Sequence, residues 1–259
     1  MPFQSNGRIR YFQFEQLGHG PTHAFFTRKG GVSPDPWAAL NLGSTVGDAL
    51  ERVQENRNLA LATLARNPAS VYDVWQVHGV EVVIAEAPRS PESPHLQADA
   101  ILTNQPGLTL MMRFADCVPI LLHDPVHKVV GIVHAGWMGT VRRTVCFAVE
   151  AMQERYGSNP ADINAGIGPS IGPDHYVVGP DVVSQVEQTF ESEAAGLLSM
   201  SPGETKFDLW AANCLLLEQA GVRHVEVAGL CTACHTEDWY SHRAEKGRTG
   251  RFGAMIALV

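Results

Sequence analysis

Three side chains of this chain could share one metal ion. Cys117 opens the apolar run CVPILLH, His134 closes the run VVGIVH, and His78 stands before Gly79 in VWQVHGVEVV. A thiolate and two imidazoles are donors that zinc takes at about 2.0–2.3 Å. Two histidines with one cysteine would leave a tetrahedral position open, the pattern of a catalytic rather than a structural centre. Water at such a position ionises near neutral pH and becomes a nucleophile. Asp116, directly before Cys117, adds a carboxylate able to carry a proton. A strand cysteine is also an ordinary small hydrophobe, a single histidine an ordinary packing residue, and an aspartate at a strand entrance an ordinary turn residue. Residue type alone leaves both readings open.

The elements between these residues decide whether they meet. CVPILLH and VVGIVH are separated by Asp124-Pro125-Val126-His127-Lys128, a turn-forming composition that predicts an antiparallel hairpin. With Pro125 and Val126 at its tip, Cys117 falls directly opposite His134, their Cβ atoms about 4.5–5.5 Å apart. A slip of one residue would put the pair on opposite faces. His134 is followed by AGWMGT, a small-residue turn into a helix whose first amides could hold an anion. Periodicity predicts helices over 48–66, capped by Asp48 with Leu50, Val53, Leu61 and Leu64 inward, and over 139–156, with Val141, Val145, Val149 and Met152 inward and Gly157 as the stop. Two more open at Pro180-Asp181 and run over 208–221. Strand patterns cover 23–27, 81–86, 99–104, 108–113, 117–123, 129–134, 224–231 and 253–259. Consecutive strands interspersed with helices predict an α/β (α+β) sandwich, a mixed β-sheet flanked by helices, rather than a regular β-α-β alternation. The patch APRSPESPHLQ (87–97) reads as a surface loop inside a single domain spanning 1–259.

Composition narrows the partners. With 259 residues, 45% of them hydrophobic, the chain can bury a full core. A formal net charge of -8 provides no basic face for nucleic acid or an anionic membrane, which leaves a small molecule as the expected partner. The start MPFQSNGRIRYFQF has no cationic-then-apolar leader, and no apolar run approaches the roughly 20 residues of a membrane span. A cytoplasmic, monomeric protein is expected. Five cysteines are an odd, sparse set, so reduced thiols are expected rather than a disulfide framework. Cys231-Thr232-Ala233-Cys234 is a lone C-x-x-C, half a zinc site or a redox pair with no second C-x-x-C to complete it; two free thiols is the simpler reading. The glycine-rich GIGPSIGPDHYVVG (166–179) matches neither a Walker nor a dinucleotide pattern. Arg28, Arg243 and Arg251 could bind phosphate or carboxylate groups, although each is equally a solvated surface charge.

Taken together, TRKGGVS, NLG, QVHG, ADA, ADCVPILL, HAGWMGT, GPSIGP, FDLWAAN, WYSHR and GR closely resemble, in order and over nearly the whole chain, the YfiH or laccase-domain family, also known as multicopper polyphenol oxidoreductases. The resemblance implies a metal site, usually zinc with copper as the alternative, on His78, Cys117 and His134. It implies a fold related to the catalytic domain of cytotoxic necrotizing factor. It further implies phosphorolysis of adenosine, inosine or methylthioadenosine and deamination of adenosine, with nucleoside and phosphate as partners. Arg28, Asn41, Asp116 and Arg243 become candidates for the nucleoside and phosphate pocket. Two departures stand out: Met138 where the family usually carries arginine, with Arg142 or Arg143 as replacements one turn on, and Asp174-His175 where cysteine is common. Two other functions stay open. A copper polyphenol oxidase of the conventional kind needs H-x-H pairs, and none of the eleven histidines forms one, although one Cys/His site can take copper. A non-enzymatic or cell-wall editing role would survive loss of Cys117.

Overall fold

The two central strands are apolar on both faces, and the layering follows from that. Along Val118–Asp124 and Val129–Ala135, Leu121, Val130 and Ile132 enter one core, while Ile120, Leu122, Val129 and Val133 enter another. Strands buried on both sides read as continuous hydrophobic runs rather than as alternation. The computed structural model describes residues 3–15, 17, 20–90 and 92–259.

The hairpin is the middle of a six-stranded sheet ordered His224–Val227, Asn164–Ile167, Val118–Asp124, Val129–Ala135, Ala100–Thr103, Val82–Ile84. Its outermost pairs are parallel and its inner pairs antiparallel. A second six-stranded sheet runs Phe3–Asn6, Ile9–Phe12, Thr22–Phe26, Phe252–Ala257, Thr109–Phe114, Val71–Tyr72. Phe12, Phe14, Phe25, Leu110, Met112, Phe252 and Ile256 meet Ile101, Leu121, Val130 and Ile132 between the two sheets. On the far side of the first sheet, Val145, Val149 and Met152 of the helix Thr144–Tyr156 pack with Leu216 of Leu209–Gln219 and Phe190 of Pro180–Phe190. On the far side of the second, Ala60 and Leu61 of Leu50–Thr63 cover Ala24, Phe26, Met111 and Met255. The result is a β-sandwich with helices on both outer faces. A small three-stranded sheet, ordered Val177–Val178, Glu204–Phe207, Leu198–Ser201, lies beside it. Among the described residues no helix is long and apolar enough to cross a membrane.

The expected sandwich of mixed sheet and flanking helices is present, its strands divided among two large sheets and a small one. Several expectations need correction. Phe3–Asn6, Ile9–Phe12, Val71–Tyr72, Asn164–Ile167, Val177–Val178, Leu198–Ser201 and Glu204–Phe207 were not anticipated, because they are short or only partly apolar. Asp48 does not cap the first helix, which starts at Leu50 and ends at Thr63. Its carboxylate instead accepts from Ser33, Asn41 and Arg52, and Leu50 is exposed. The helix expected over 139–156 is two, Trp137–Val141 and Thr144–Tyr156, broken where Arg143 takes a left-handed φ of 63°. The 208–221 helix is capped as expected, Asp208 Oδ1 accepting from the Ala211 amide, and Gly157 ends its helix in the left-handed conformation. The 87–97 segment contributes only an isolated bridge between Gln97 and Trp75 and is otherwise irregular; Pro91 lies outside the described residues.

Candidate active site

The hairpin does not put Cys117 opposite His134. Pro119 faces His134 and Val118 faces Ala135, a register displaced by two residues from the expected one. Asp124 sets this displacement. Its Oδ1 accepts from the amides of Val126 and His127, its Oδ2 pairs with His127 Nδ1, and Lys128 turns the corner at φ 54°. The loop is therefore Pro125–Lys128, four residues instead of two. A two-residue displacement preserves side-chain parity, so Cys117 and His134 still share the face turned to the seam between the sheets.

His78 joins them from the loop after the Trp75–Gln97 bridge, in a left-handed conformation at φ 58° that histidine tolerates better than most residues. The three donor atoms lie within 4.8 Å of one another. Cys117 Sγ stands 3.8 Å from His78 Nε2, and the two imidazole rings meet edge to face at 4.9 Å.

A buried carboxylate holds the set together. Asp99 Oδ1 lies 2.7 Å from His134 Nδ1, and because an ionised carboxylate only accepts, Nδ1 carries the proton and Nε2 is left free to ligate. Asp99 Oδ2 accepts from the amides of Val77 and Gly79, at 3.1 and 2.7 Å, fixing the backbone on either side of His78. One residue thus orients two of the three candidate donors. Electrostatics favour a thiolate beside a protonated His134, the Nε2 proton being the one a metal would displace. Burial alone would raise the Cys117 thiol, but the adjacent imidazoles of His134 and His78 outweigh it and bring it down to about 6. Burial would lower His134, but Cys117 and Asp99 prevail and hold it up at about 9. Gly136 leaves the room: a Cβ there would stand 2.8 Å from Cys117 Sγ and 3.2 Å from His78 Cδ2. Two nitrogens and an ionisable sulfur, with a carboxylate behind one histidine, fit a tetrahedral metal of borderline softness.

The set opens on a cleft of about 550 Å³ whose wall includes Trp75, Trp137 and Tyr176 as aromatic surfaces and Arg113, Arg243 and Arg251 as cations. Asp116 lines it too, at a left-handed φ of 83°. Its Oδ1 accepts from Thr232 Oγ1 and its Oδ2 from the Arg243 amide, both at 2.7 Å. Arg243 stacks its guanidinium on Tyr176 at 5.1 Å and donates to the Val177 carbonyl.

Two sequence candidates lie elsewhere. Arg28 is spent on the carbonyls of Ala38 and Thr236, on Glu245 and on the Tyr240 ring, and does not line the cleft. Asn41 is fully buried beneath the rim: its Oδ1 accepts from the amides of Gly43 and Arg251, and its Nδ2 donates to Asp48. It positions two lining residues instead of lining the cleft. Met138 is not on the wall either. Of the two arginines beyond it, Arg142 reaches the His78 carbonyl at 3.4 Å, while Arg143 turns to Gln219. Sequence reasoning missed Asp99, Trp137 and Tyr176 as individual residues, although each lies in a segment it singled out, ADA, HAGWMGT and GPDHYVVG.

The chain is similar to known proteins over nearly its whole length. A purine nucleoside phosphorylase of Deinococcus radiodurans is 43% identical over 239 residues, covering 91% of this chain and 88% of that protein. The purine nucleoside phosphorylase YlmD of Bacillus subtilis is 34% identical over 242 residues, covering 90% and 87%. The crystal structures of Bacillus licheniformis YfiH and Geobacillus stearothermophilus YlmD each superpose with a TM-score of 0.92 at 33% identity, the first covering 100% of this chain and 99% of its own, the second 99% and 98%. Residues 22–259, a span that includes all three candidate ligands and every residue of the cleft wall named above, match the family described as multi-copper polyphenol oxidoreductase laccase, and the chain belongs to that family.

Proposed function

We propose that this protein is a zinc-dependent purine nucleoside enzyme, acting by phosphorolysis on adenosine, inosine or methylthioadenosine and by deamination on adenosine. The observation that carries the proposal is a three-donor set, His78, Cys117 and His134, facing a cleft that offers both flat aromatic surfaces and guanidinium groups. A nucleoside needs the first for its base, and phosphate needs the second. Relatives named purine nucleoside phosphorylase support the substrate class.

His78, Cys117 and His134 would hold the metal, which when bound supplies Lewis acidity against the base or an acidified water. The chain's own groups account for the rest. Trp137 and Tyr176 provide surfaces for the purine. Arg243 and Arg251 would supply positive charge for phosphate. In phosphorolysis a phosphate oxygen forms the bond to C1′ as the C1′–N9 bond breaks, and the purine leaves with the electron pair and takes up a proton. In deamination, water oxygen replaces the C6 amine, which departs as ammonia. Asp116 is the carboxylate proposed to move these protons. Each of its oxygens has one protein donor, and an ionised carboxylate accepts more than two. Arg28 and Asn41 hold the surrounding framework.

Purified protein incubated with adenosine and phosphate should yield adenine and ribose 1-phosphate, and without phosphate it should yield inosine, both read by chromatography. Recovery of unchanged adenosine in both arms would overturn the reading. Metal analysis of protein produced without added copper should find zinc. Stoichiometric copper accompanied by substantial phenol turnover would replace the nucleoside assignment with oxidation.

A further inference from the structure

The lone C-x-x-C is completed from another part of the chain. Cys231 and Cys234 lie beside the turn that follows the strand Asn164–Ile167, where Asp174 and His175 meet them. Four potential ligand atoms, two sulfurs, one nitrogen and one oxygen, lie within 4.8 Å of one another. Cys234 Sγ is 3.4 Å from His175 Nδ1 and 3.7 Å from Asp174 Oδ2, and Cys231 Sγ is 3.9 Å from His175 Nδ1. Zinc–sulfur bonds of about 2.3 Å and zinc–nitrogen bonds of about 2.0–2.1 Å, at tetrahedral angles, put sulfur and nitrogen ligands about 3.6 Å apart. The side chains are therefore spaced as ligands of one ion would be.

Two further features belong to a metal cradle rather than to a chance surface cluster. The Gly172 amide donates to Cys231 Sγ at 3.1 Å, a bond that favours the thiolate. A Cβ at Gly172 would meet Asp174 Oδ1 at 2.8 Å and Cys231 Sγ at 3.2 Å, so a side chain there would push the Asp174 carboxylate out of the cluster. Cys231 is buried whereas Asp174, His175 and Cys234 are exposed, so the fourfold set closes on the buried sulfur from the solvent side.

We propose that Asp174, His175, Cys231 and Cys234 form a second, structural metal centre for a thiophilic divalent ion, zinc foremost, distinct from the cleft ligands. Four protein donors leave no open position, so the centre binds without turning over substrate. Its effect is mechanical. It staples the 172–176 segment to the 231–234 segment. The first carries Tyr176, on which Arg243 stacks, and the second carries Thr232, which donates to Asp116 at 2.7 Å. One wall of the cleft hangs from this staple.

The test is metal stoichiometry in the full chain, reduced, stripped with a chelator and titrated with Co²⁺, which reports thiolate ligation by its sulfur-to-metal charge-transfer band. Wild type should take two equivalents. Cys117→Ser should keep one, with the stronger two-thiolate band, and Cys234→Ser should keep one with the weaker one-thiolate band. Should Cys234→Ser fail to fold, His175→Ala serves in its place and should likewise lose one equivalent. A single equivalent in wild type, absent from Cys117→Ser, would overturn the proposal. So would purified, unreduced protein in which Cys231 and Cys234 are joined as a disulfide. Stoichiometry is read without turnover, so the result bears on this centre whichever substrate the cleft accepts.

Discussion

The cleft set, two nitrogens and a sulfur, and the C-x-x-C set, two sulfurs, a nitrogen and an oxygen, have opposite support. At the cleft three donors converge from a hairpin and a loop, a buried carboxylate aligns two of them, and the fourth side faces about 550 Å³ of open space. At the other set four donors converge from two loops with a single backbone amide behind them. An open position is useful only if the protein, not the ion, fixes the ligands, because the ion must exchange partners during a reaction. A closed centre can leave its geometry to the ion. Removing a ligand should therefore abolish chemistry at the first and loosen structure at the second. Cys117→Ala should lower nucleoside turnover at least about 10³-fold, since it takes the Lewis acid with it. Cys234→Ser should keep turnover within about tenfold and act mainly on KM, through the Tyr176 and Arg243 wall. Steady-state kinetics of the two variants side by side measures the contrast, and equal losses would break it.

The carboxylate behind the cleft gives the next largest effect. Asp99→Asn keeps the shape but offers an amide where His134 Nδ1 and the Val77 and Gly79 amides need an acceptor of full charge. Metal affinity or activity should fall about 10–100-fold, the range typical of lost outer partners of metal ligands. Competition with a chelating dye reads this directly, and the other centre should keep its ion. The two glycines then offer a matched pair. Gly136→Ala forces a methyl against Cys117 Sγ and His78 Cδ2, where Asp99 already fixes the backbone on either side of His78. Gly172→Ala crowds Asp174 and Cys231, where the exposed Asp174 can swing aside. Cleft affinity should drop about tenfold in the first, and second-centre affinity less than that in the second.

How much of this the residues disclosed follows the same division. Period-two and period-3.6 patterns located the hairpin, the major helices, five of the six strands of the sheet that contains it and three of the six strands of the other, because burial on a regular element leaves a regular trace. The gathering of Cys117 with His134 was readable through parity: the loop proved two residues longer than expected, and an even displacement left both on one face. Leu50, expected inward, was misjudged because helix periodicity does not reveal where the covering layer ends. Arg28 and Asn41 were legible as important but not as framework, since their partners, Glu245, Thr236 and Arg251, lie some two hundred residues away in sequence. The second centre was invisible for the same reason. Cys231-x-x-Cys234 looked incomplete, and only tertiary contact brings Asp174 and His175 across to it.

The smallest predicted effect separates protein-held from ion-held framework by pH. Asp73 is buried and accepts from Arg89 Nε at 2.8 Å and Arg113 Nη1 at 2.6 Å, with His95 Nε2 at 3.2 Å; Arg113 and His95 line the cleft. Burial alone would raise its carboxyl, but Arg113, Arg89 and His95 together bring it down to about 2 from an ordinary 3.8. A carboxyl lowered by folding stabilises the fold at pH values above its ordinary one, and this contribution disappears as pH falls through the lowered one. At about 1.4 kcal/mol per pH unit the ion-pair network contributes about 2 kcal/mol at neutral pH. Asp73→Asn should then lower Tm by about 4–8 °C at pH 7 in metal-stripped protein, and the gap to wild type should narrow as pH drops from about 4 toward 2. Chelation without mutation should act in another way. It strips both donor sets, the C-x-x-C staple among them, and the loss of Tm should be restored by adding zinc at pH 7, whether residue 73 is the native Asp73 or the substituted amide. A gap between wild type and Asp73→Asn that stayed constant across the acid range would show that the cleft frame does not depend on this charge.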